Sequence, residues 1–264
     1  MVLLCGTLSL PRLSLYFTID PIVVLPSSIL SQVVNSINSR DNLLTDGMLT
    51  CSYQKIPGIF DGIQRYLRER GIVKEDCLAL ECENSLPSAL VLLYLLEEGY
   101  SFLLLPKVVC GAQVRQPPLP QFCRYRIVAE RLTGDGSAID LRHPEQFLSV
   151  VENEGWSGDL LRASHASPKL YLQTSGSTGN PKMAVHSHAK LMGNALNCVH
   201  RLGLEGDDRI AIPVPIFHMY GLGAAFLPAV AVGASIDLQP NSNLLRYLQR
   251  EKEFNPNVAF LTPI

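Results

Sequence analysis

An excess of charge of either sign is the first thing that this sequence lacks. Its 264 residues carry 22 lysines and arginines against 24 aspartates and glutamates, which gives a formal net charge of −2. Proteins that bind nucleic acids or anionic membranes through charge usually carry a marked basic excess. We therefore expect no nucleic-acid partner and no attraction to an anionic membrane.

Long hydrophobic runs and targeting signals are also missing. The longest strongly apolar run, Ala89–Leu96, is far shorter than the roughly 20 residues that a membrane-spanning helix needs. The apolar N-terminus has no basic residue before Arg12 and is interrupted by Pro11, so it fits neither a secretory signal nor a lipid-attachment signal. These absences predict a soluble, cytoplasmic protein with no membrane span.

Cysteine pairs with the spacing of a metal or redox site are absent. The seven cysteines are an odd number, are widely spread and include no Cys-x-x-Cys pair. We predict reduced thiols, mostly in the core of a cytosolic protein. They are Cys5, Cys51, Cys77, Cys82, Cys110, Cys123 and Cys198.

Helical and extended patterns alternate in the first half of the chain. An amphipathic helix over residues 59–70 is followed by a strand over 76–82, a helix over 85–98 and a strand over 101–105. The second helix is apolar nearly all round and should be buried between layers. Strands and helices at this spacing imply right-handed crossovers, so we predict an α/β fold of mostly parallel sheets with helices on both faces.

More elements are predicted towards the C-terminus. Strands are expected over residues 122–128, 183–186, 210–214, 235–238 and 258–262, and helices over 145–151, 187–202 and 243–251. Proline-rich residues 116–120 should form an exposed connector. An exposed, unpaired sheet edge is expected where the chain stops.

The most informative stretch is Leu172–Val185, in which hydroxyl side chains alternate with glycines. Gly176 and Gly179 allow positive φ and a close approach of backbone N–H groups to an anion. Lys182 would add a point charge at an outer phosphate. The hydroxyls belong to Thr174, Ser175, Ser177 and Thr178. We predict a phosphate-binding loop from Thr174 to Lys182.

Two rival motifs fail on spacing. A Walker loop has Gly before its lysine and Ser or Thr after it, whereas Lys182 follows Pro181 and precedes Met183. A hydrolase elbow needs Gly-x-Ser-x-Gly, and neither Ser175 nor Ser177 has glycine two residues away on both sides. A plain Ser/Gly-rich surface turn is the alternative that stays open.

A second informative stretch, Pro213–Gly223, contains His218 beside an aromatic residue and close to glycines. An imidazole in that setting can meet a carboxylate or border a channel for a thiol. A packed aromatic-histidine turn is the alternative.

The pair His186-x-His188 has the look of a zinc site but has no third ligand nearby. It equally suits a junction between a strand and a helix. We therefore predict no metal site.

Both stretches resemble signatures of the adenylate-forming superfamily, which comprises acyl- and aryl-CoA synthetases, luciferases and the adenylation domains of peptide synthetases. Thr174–Lys182 is similar to its phosphate-binding signature, and Pro213–Gly223 to its "Pro-x-Phe-His-x-x-Gly" segment. Residues 71–76 and Asn84-Ser85 also follow the order of its opening half. The resemblance runs from about residue 50 to the last residue, so it implies an N-terminal extension with the first elements over 1–50 and a partial AMP-binding large domain over 51–264.

The resemblance implies ATP with Mg²⁺ as cosubstrate, a carboxylic acid as substrate, and the thiol of CoA or of a carrier-protein phosphopantetheine as acyl acceptor. Thr174, Ser175, Gly176, Ser177, Thr178, Gly179 and Lys182 would bind the phosphates, and His218 would act beside the acid. Amino-acid-activating members usually carry an aspartate near His218, where this chain has Met219 and no acid. The resemblance thus implies a fatty or aryl acid without an α-amine.

Several family segments have no counterpart in the sequence. There is no "Tyr-Gly-x-Thr-Glu" for magnesium, no "Thr-Gly-Asp" for ribose, no hinge and no C-terminal lid with its catalytic lysine, and Met183 stands where glycine is usual. The expected protein is therefore a truncated or split segment of an acid-thiol ligase, with a carrier protein or the missing C-terminal half as a partner. The alternative is a non-catalytic nucleotide- or partner-binding module derived from that family.

Overall fold

The structure, a computed structural model, describes residues 2–4, 42–107, 118–130, 139–158, 167–174, 182–241 and 243–262. The strands are β1 (Val2–Leu4), β2 (Leu43–Thr45), β3 (Thr50–Ser52), β4 (Cys77–Cys82), β5 (Ser101–Pro106), β6 (Tyr125–Ala129), β7 (Leu148–Glu152), β8 (Lys169–Thr174), β9 (Lys182–Ser187), β10 (Arg209–Ile212), β11 (Ser235–Leu238) and β12 (Val258–Phe260). The helices are α1 (Ile56–Glu69), α2 (Leu86–Glu97), α3 (His188–Leu202), α4 (Leu227–Ala231) and α5 (Leu244–Phe254), with a π-helix over Tyr220–Phe226.

Two six-stranded sheets share one plan. The first has the order β1-β12-β10-β11-β2-β3, and the second has the order β7-β6-β4-β5-β8-β9. In each, four neighbouring strands are parallel and the two edge strands are antiparallel to them. The predicted α/β fold of mostly parallel sheets is confirmed.

Local signals place the helix ends where the sequence predicts them. The side chain of Ser85 accepts from the Ser88 N–H to cap α2, and that of Ser187 accepts from the Lys190 N–H to cap α3. Gly203 follows α3 with a φ of 65°, a conformation that glycine adopts without steric cost. All residues of α2 from Leu86 to Leu95 are buried, so the helix lies between layers as predicted.

Two expectations are wrong. Residues 145–151 were expected to be helical, but a 3₁₀ turn over Pro144–Gln146 leads into β7, which pairs with β6. The β-branched Val150 and Val151 suit that pairing better than a helix. The last strand is also not an unpaired edge, because β1 pairs antiparallel with β12. The division into 1–50 and 51–264 stays a prediction, and β3 spans its boundary.

The five cysteines within the described ranges are free thiols, as predicted, and four of them are buried. Cys5 and Cys110 lie outside those ranges, as do residues 116 and 117 of the predicted proline-rich connector. In the part of the chain that the structure describes, no helix is both long and apolar enough to cross a membrane.

Candidate functional site

The carboxyl ends of the parallel strands of both sheets face one another. Asp46, directly after β2 in the first sheet, accepts the backbone N–H of Leu86 at 2.8 Å through Oδ2, at the start of α2, which follows the second sheet's β4. Asn84, two residues after the end of β4, bonds to residues that follow β10. Ligands of open α/β sheets bind outside the carboxyl ends of the strands, so this junction is where a site is expected.

Asn84 is the main link across the junction. Its Nδ2 donates to the carbonyl oxygens of Ile212 and Val214, both at 2.9 Å, and its Oδ1 accepts the N–H of Ile216 at 2.9 Å. The side chain is buried, so each of these bonds replaces one that water cannot supply. One amide therefore fixes the path of the chain as it leaves β10.

A cavity of about 520 Å³ lies at this junction. Its lining combines a proline-rich wall, several amide side chains and apolar groups. The residues are Glu83, Asn84, Pro213, Val214, Pro215, Phe217, Gln239, Asn241, Asn243, Leu244, Tyr247, Leu261 and Thr262. Of these described lining residues only Glu83 is acidic, and its Oε1 is ion-paired with Lys107 Nζ at 3.2 Å, while the same Nζ lies 3.0 Å from Glu130 Oε2.

His218 lies in the turn that follows this wall and is exposed. Its ring packs on that of Phe217 with centroids 4.7 Å apart. Its backbone N–H donates to the Pro215 carbonyl at 3.2 Å, and its backbone carbonyl accepts from the Leu222 N–H at 2.8 Å. The turn and the π-helix are in close contact, because a Cβ added at Gly221 would lie 2.1 Å from the Pro215 oxygen. Glycine is therefore required three residues after His218.

The predicted phosphate loop is only partly within the described residues. Thr174 and Lys182 are directly opposite each other, the last cross-strand pair of β8 and β9, so the structure brings the two ends of the loop together. Ser175, Gly176, Ser177, Thr178 and Gly179 lie outside the described residues. The Lys182 side chain is exposed.

Helix α3 connects this hairpin to the His218 turn. It begins directly after β9, and Asn194 on it donates to the Gly223 carbonyl in the π-helix at 2.9 Å. His218 follows β10, an interior strand of the other sheet, so the two sequence signatures belong to different sheets and are joined through one helix.

The zinc interpretation of His186 and His188 finds no support. Within the described ranges no group of three His, Cys, Asp or Glu side chains could hold a metal ion. His186 is on β9, whereas His188 begins α3 and packs edge-on against Phe102 at 5.9 Å. Burial lowers the pKa of His188 to about 4, which is typical of a neutral core histidine.

Sequence reasoning missed several residues of the junction. Asn84 was noted at the start of a helix and in the resemblance to the family's opening half, but not as a link across the junction, and Asp46, Glu83 and Gln239 were not noted at all. A polar residue directly after a buried strand was the available signal for Asn84 and Glu83. Gln239, whose Nε2 donates to the buried Asp237 at 2.9 Å, directly follows the buried strand β11 and carried the same signal.

Two mostly parallel sheets that meet at their carboxyl ends, with a cavity at their junction, make this an α/β protein with a candidate ligand site between its sheets. The family of AMP-binding enzymes matches residues 138–264, which contain both signatures. The chain belongs to the adenylate-forming superfamily and corresponds to the N-terminal part of its large domain.

Three known proteins illustrate the similarity. The indoleacetate–CoA ligase of Aromatoleum aromaticum is 30% identical over 205 residues, which cover 72% of this chain and 40% of the ligase. ATP-bound MatB from Rhodopseudomonas palustris has the same fold with a TM-score of 0.60 and 17% identity, covering 86% of this chain and 48% of MatB. The o-succinylbenzoate CoA synthetase of Bacillus subtilis, in complex with its acyl-adenylate intermediate, has a TM-score of 0.60 and 17% identity, covering 86% and 60% of the two chains. The chain thus spans less than two thirds of each of these relatives.

Proposed function

We propose that the complete protein activates a carboxylic acid with ATP as an acyl-adenylate and passes the acyl group to a thiol, of CoA or of a carrier-protein phosphopantetheine. The observation that carries this proposal is the family match over residues 138–264, because it includes both Thr174–Lys182 and His218. The named activities of the indoleacetate–CoA ligase and the o-succinylbenzoate CoA synthetase support it.

The chemistry has two steps. A carboxylate oxygen attacks the α-phosphorus of ATP, and the bond to the bridging oxygen breaks, so that pyrophosphate leaves with its electron pair. The thiol sulfur then attacks the acyl carbon, loses its proton and displaces AMP. Positioning and charge neutralisation supply most of the rate enhancement in such a reaction.

Each signature has a role in this scheme. The loop from Thr174 to Lys182 holds the departing β- and γ-phosphates, with Ser175, Ser177 and Thr178 as hydroxyl donors. Lys182 projects from the base of the loop as a cation that balances developing negative charge. His218 borders the acid and the incoming thiol.

We propose that magnesium enters bound to ATP rather than from a preformed site in the described part of this chain. The described residues include no group of three acidic, histidine or cysteine side chains that could bind it. Bound magnesium would neutralise phosphate charge. Every role that we assign to this chain is independent of it.

The acid is proposed to lack an α-amine and to be a fatty or aryl acid. Holding an α-ammonium in a closed site requires an uncompensated carboxylate. The Glu83 carboxylate at the cavity is already paired with Lys107, and Met219 follows His218. The name of the indoleacetate ligase, an aryl-acid enzyme, agrees with this class.

The second candidate is a non-catalytic nucleotide- or partner-binding module. It keeps the proposed phosphate-binding role of Thr174–Lys182 without turnover. The two candidates differ in whether these 264 residues turn over ATP.

The test is acid-dependent exchange of labelled pyrophosphate into ATP by the 264-residue chain, with pools of aryl, fatty and amino acids. Exchange that requires an aryl or fatty acid supports the enzyme. ATP binding in calorimetry without exchange supports the binding module, and exchange with amino acids alone contradicts the proposed acid class.

Lys182→Ala should weaken ATP binding about 10- to 100-fold, the effect of losing one charge-assisted hydrogen bond. Lys190→Ala, which removes an exposed lysine on α3, is the matched control and should leave affinity unchanged. Equal affinity of the two variants would mean that Lys182 does not contact the phosphates.

A further inference from the structure

Two cysteine thiols meet in a small apolar cluster on the second sheet. Cys77 begins β4 and Cys123 lies two residues before β6, and both side chains are buried. The Sγ atom of Cys77 lies 3.9 Å from the carbonyl oxygen of Leu78, and that of Cys123 lies 3.7 Å from the same oxygen. The two thiols are also in hydrogen-bond contact with each other, which together with burial raises the pKa of Cys123. We call them the thiol pair.

The backbone holds the thiol pair on neighbouring strands. β4 and β6 are parallel with Leu78 opposite Tyr125, and the Arg124 N–H donates to the Cys77 carbonyl at 2.7 Å. Neighbouring strands lie about 4.8 Å apart, and successive residues of a strand about 3.3 Å apart. A disulfide spans about 4.4–6.8 Å between Cα atoms. The backbone spacing is therefore compatible with a disulfide between the two cysteines.

The thiol pair lies on the face of the second sheet that is turned away from the main core. Leu78, Leu80 and Cys82 of β4 belong to the main core, whereas Cys77 and Ala79 belong to a separate, smaller cluster on the other face. Regions with few buried apolar contacts open locally at a lower free energy than a large core does. The thiol pair is thus in a part of the protein that can open without global unfolding.

Residues 119–123, which we call the cover segment, close this cluster. The Phe122 ring packs on Tyr171 with centroids 5.0 Å apart. The Asn153 Nδ2 donates to the Cys123 carbonyl at 2.8 Å. Release of these contacts would expose both thiols at the same time, because one of them belongs to the cover segment and the other lies beneath it.

We propose that Cys77 and Cys123 are an oxidative modification site, at which a peroxide converts the two thiols into an intrachain disulfide that fastens the cover segment to β4. The free thiols of the structure are the reduced form of this site. The proposal goes beyond acid activation and requires no ATP, acid or further polypeptide.

The reaction consumes one hydrogen peroxide for each thiol pair. One sulfur, as its thiolate, attacks a peroxide oxygen, and the O–O bond breaks to give a sulfenic acid and, after protonation, water. The other sulfur, as its thiolate, attacks the sulfenic sulfur. The S–S bond forms, the S–O bond breaks, and the departing hydroxide takes up the proton that this thiol has lost. The thiols thus lose two electrons and two protons, and the peroxide is reduced to two molecules of water.

Burial makes this reaction slow while the cover segment is closed. The thiolate is the nucleophile, and the raised pKa of Cys123 keeps its thiol protonated near neutral pH. Oxidation therefore follows opening of the cover segment, when water reaches both sulfurs. The reduced form is stable under brief exposure to an oxidant, and sustained exposure produces the disulfide.

The first test treats the 264-residue chain with hydrogen peroxide under native conditions, blocks the remaining thiols with N-ethylmaleimide and maps tryptic peptides by mass spectrometry. Trypsin releases Cys77 in peptide 75–107 and Cys123 in peptide 116–124, so their disulfide joins these two peptides until dithiothreitol separates them. Cys77→Ala and Cys123→Ala should each abolish the linked species. Cys82→Ala is the matched control and should retain it, because Cys82 is a buried cysteine of the same peptide on the other face of β4.

Three outcomes of this experiment overturn the proposal. They are the absence of the linked species in the parent chain, its survival in Cys77→Ala, and its formation only when urea is present. A sulfinic acid on either cysteine without linkage has the same meaning, because it shows that the second thiol does not reach the first.

A second test follows the cover segment. Asn153→Ala, which removes the contact to the Cys123 carbonyl, should speed formation of the disulfide at least threefold. Asn243→Ala, which removes the cap of α5, is the matched control and should follow the parent. Amide hydrogen exchange of residues 119–124 should be at least tenfold slower in the oxidised chain than in the reduced chain. Equal exchange in the two forms would show that the disulfide does not fasten the segment and would contradict the proposal.

Discussion

The side chain of Asn84 holds the path of the chain at the carboxyl end of β10. Its partners, Ile212, Val214 and Ile216, are 128 to 132 residues away in sequence. The Ile212 carbonyl has a second donor in the Gln239 N–H at 3.1 Å, but Val214 and Ile216 depend on Asn84.

Asn84→Ala should therefore reduce the free energy of unfolding by about 2–4 kcal/mol, because two buried backbone groups lose a partner. Urea denaturation monitored by circular dichroism measures the change. Asn243→Ala removes the cap of α5 and serves as a control, with an expected loss of about 1 kcal/mol. A loss in Asn84→Ala no larger than in this control would mean that the junction is not held by the amide.

His188 gives the protein a specific sensitivity to acid. It is 9% exposed at the start of α3, and burial lowers its pKa to about 4 from an ordinary value near 6.5. Above pH 6.5 the imidazole is neutral in both states and contributes nothing to the pH dependence. As the pH falls below 6.5 the unfolded state takes up the proton first, so stability is lost until about pH 4.

Between pH 7.5 and 4.5 the parent chain should lose about 2–3 kcal/mol more unfolding free energy than His188→Gln, which has no group to protonate. His200→Gln, at an exposed position on the same helix, should follow the parent. Parallel stability profiles for the parent and His188→Gln would show that His188 titrates normally. Urea denaturation at a series of pH values provides the comparison.

Helix α1 packs against the segment at Arg142, and its two internal glycines differ in how much space they have there. A Cβ at Gly62 would lie 2.3 Å from the Arg142 carbonyl oxygen, whereas one at Gly58 would meet only the flexible Arg142 side chain at 3.8 Å. Alanine is a better helix former than glycine by about 1 kcal/mol. Only at Gly58 can that advantage be realised.

We expect Gly58→Ala to stabilise the protein by about 0.5–1 kcal/mol and Gly62→Ala to destabilise it by about 1–3 kcal/mol, since backbone must move. Both variants change glycine to alanine in the same helix. A difference between their thermal unfolding temperatures therefore reports the close contact between Gly62 and the Arg142 backbone. Equal effects of the two substitutions would contradict the packing of α1 on residue 142.

The sequence predicted correctly those helix ends that are set by residues close by in the chain. Ser85, Ser187 and Gly203 mark the ends of their helices through contacts within a few residues, and all three were identified. β7 was mistaken for a helix because its reason to be extended lies in β6, about 20 residues earlier in the chain.

The same distinction applies to the candidate site. Thr174–Lys182 and His218 were singled out because each is a contiguous string in the sequence. The pairing of Thr174 with Lys182 across β8 and β9 is known only from the structure. The cavity was not predicted, because Glu83, Gln239 and Leu244 come from segments that approach only after both sheets have formed.

At the scale of the whole molecule, the first sheet is assembled from two distant parts of the chain. β2 and β3 precede the entire second sheet, whereas β10, β11 and β12 follow it. β2 pairs with β11, and the Tyr53 hydroxyl donates to the Ala234 carbonyl at 2.8 Å across 181 residues. The strands near the N-terminus are therefore integral to the sheet.

A chain of residues 51–264 should lose its cooperative urea transition, because it lacks β2, with the buried Leu44, and leaves an edge of β11 without a partner. A chain of residues 42–264 keeps β2 and β3 and should retain the transition. Equal stability of the two truncated chains would mean that these strands contribute little. Circular dichroism during urea titration distinguishes the outcomes.

The split origin of the first sheet also sets an order of events during synthesis. All strands of the second sheet are available once β9 has been synthesised. The β2–β3 hairpin can join the first sheet only after β10 and β11 have been synthesised. At about 5–20 residues per second, the stretch between β3 and β10 takes roughly 8–30 s to translate. During that interval the nascent chain on the ribosome contains a complete second sheet and a β2–β3 hairpin that has not yet paired with β11. The apolar edge of this hairpin is accessible to chaperones and to neighbouring nascent chains.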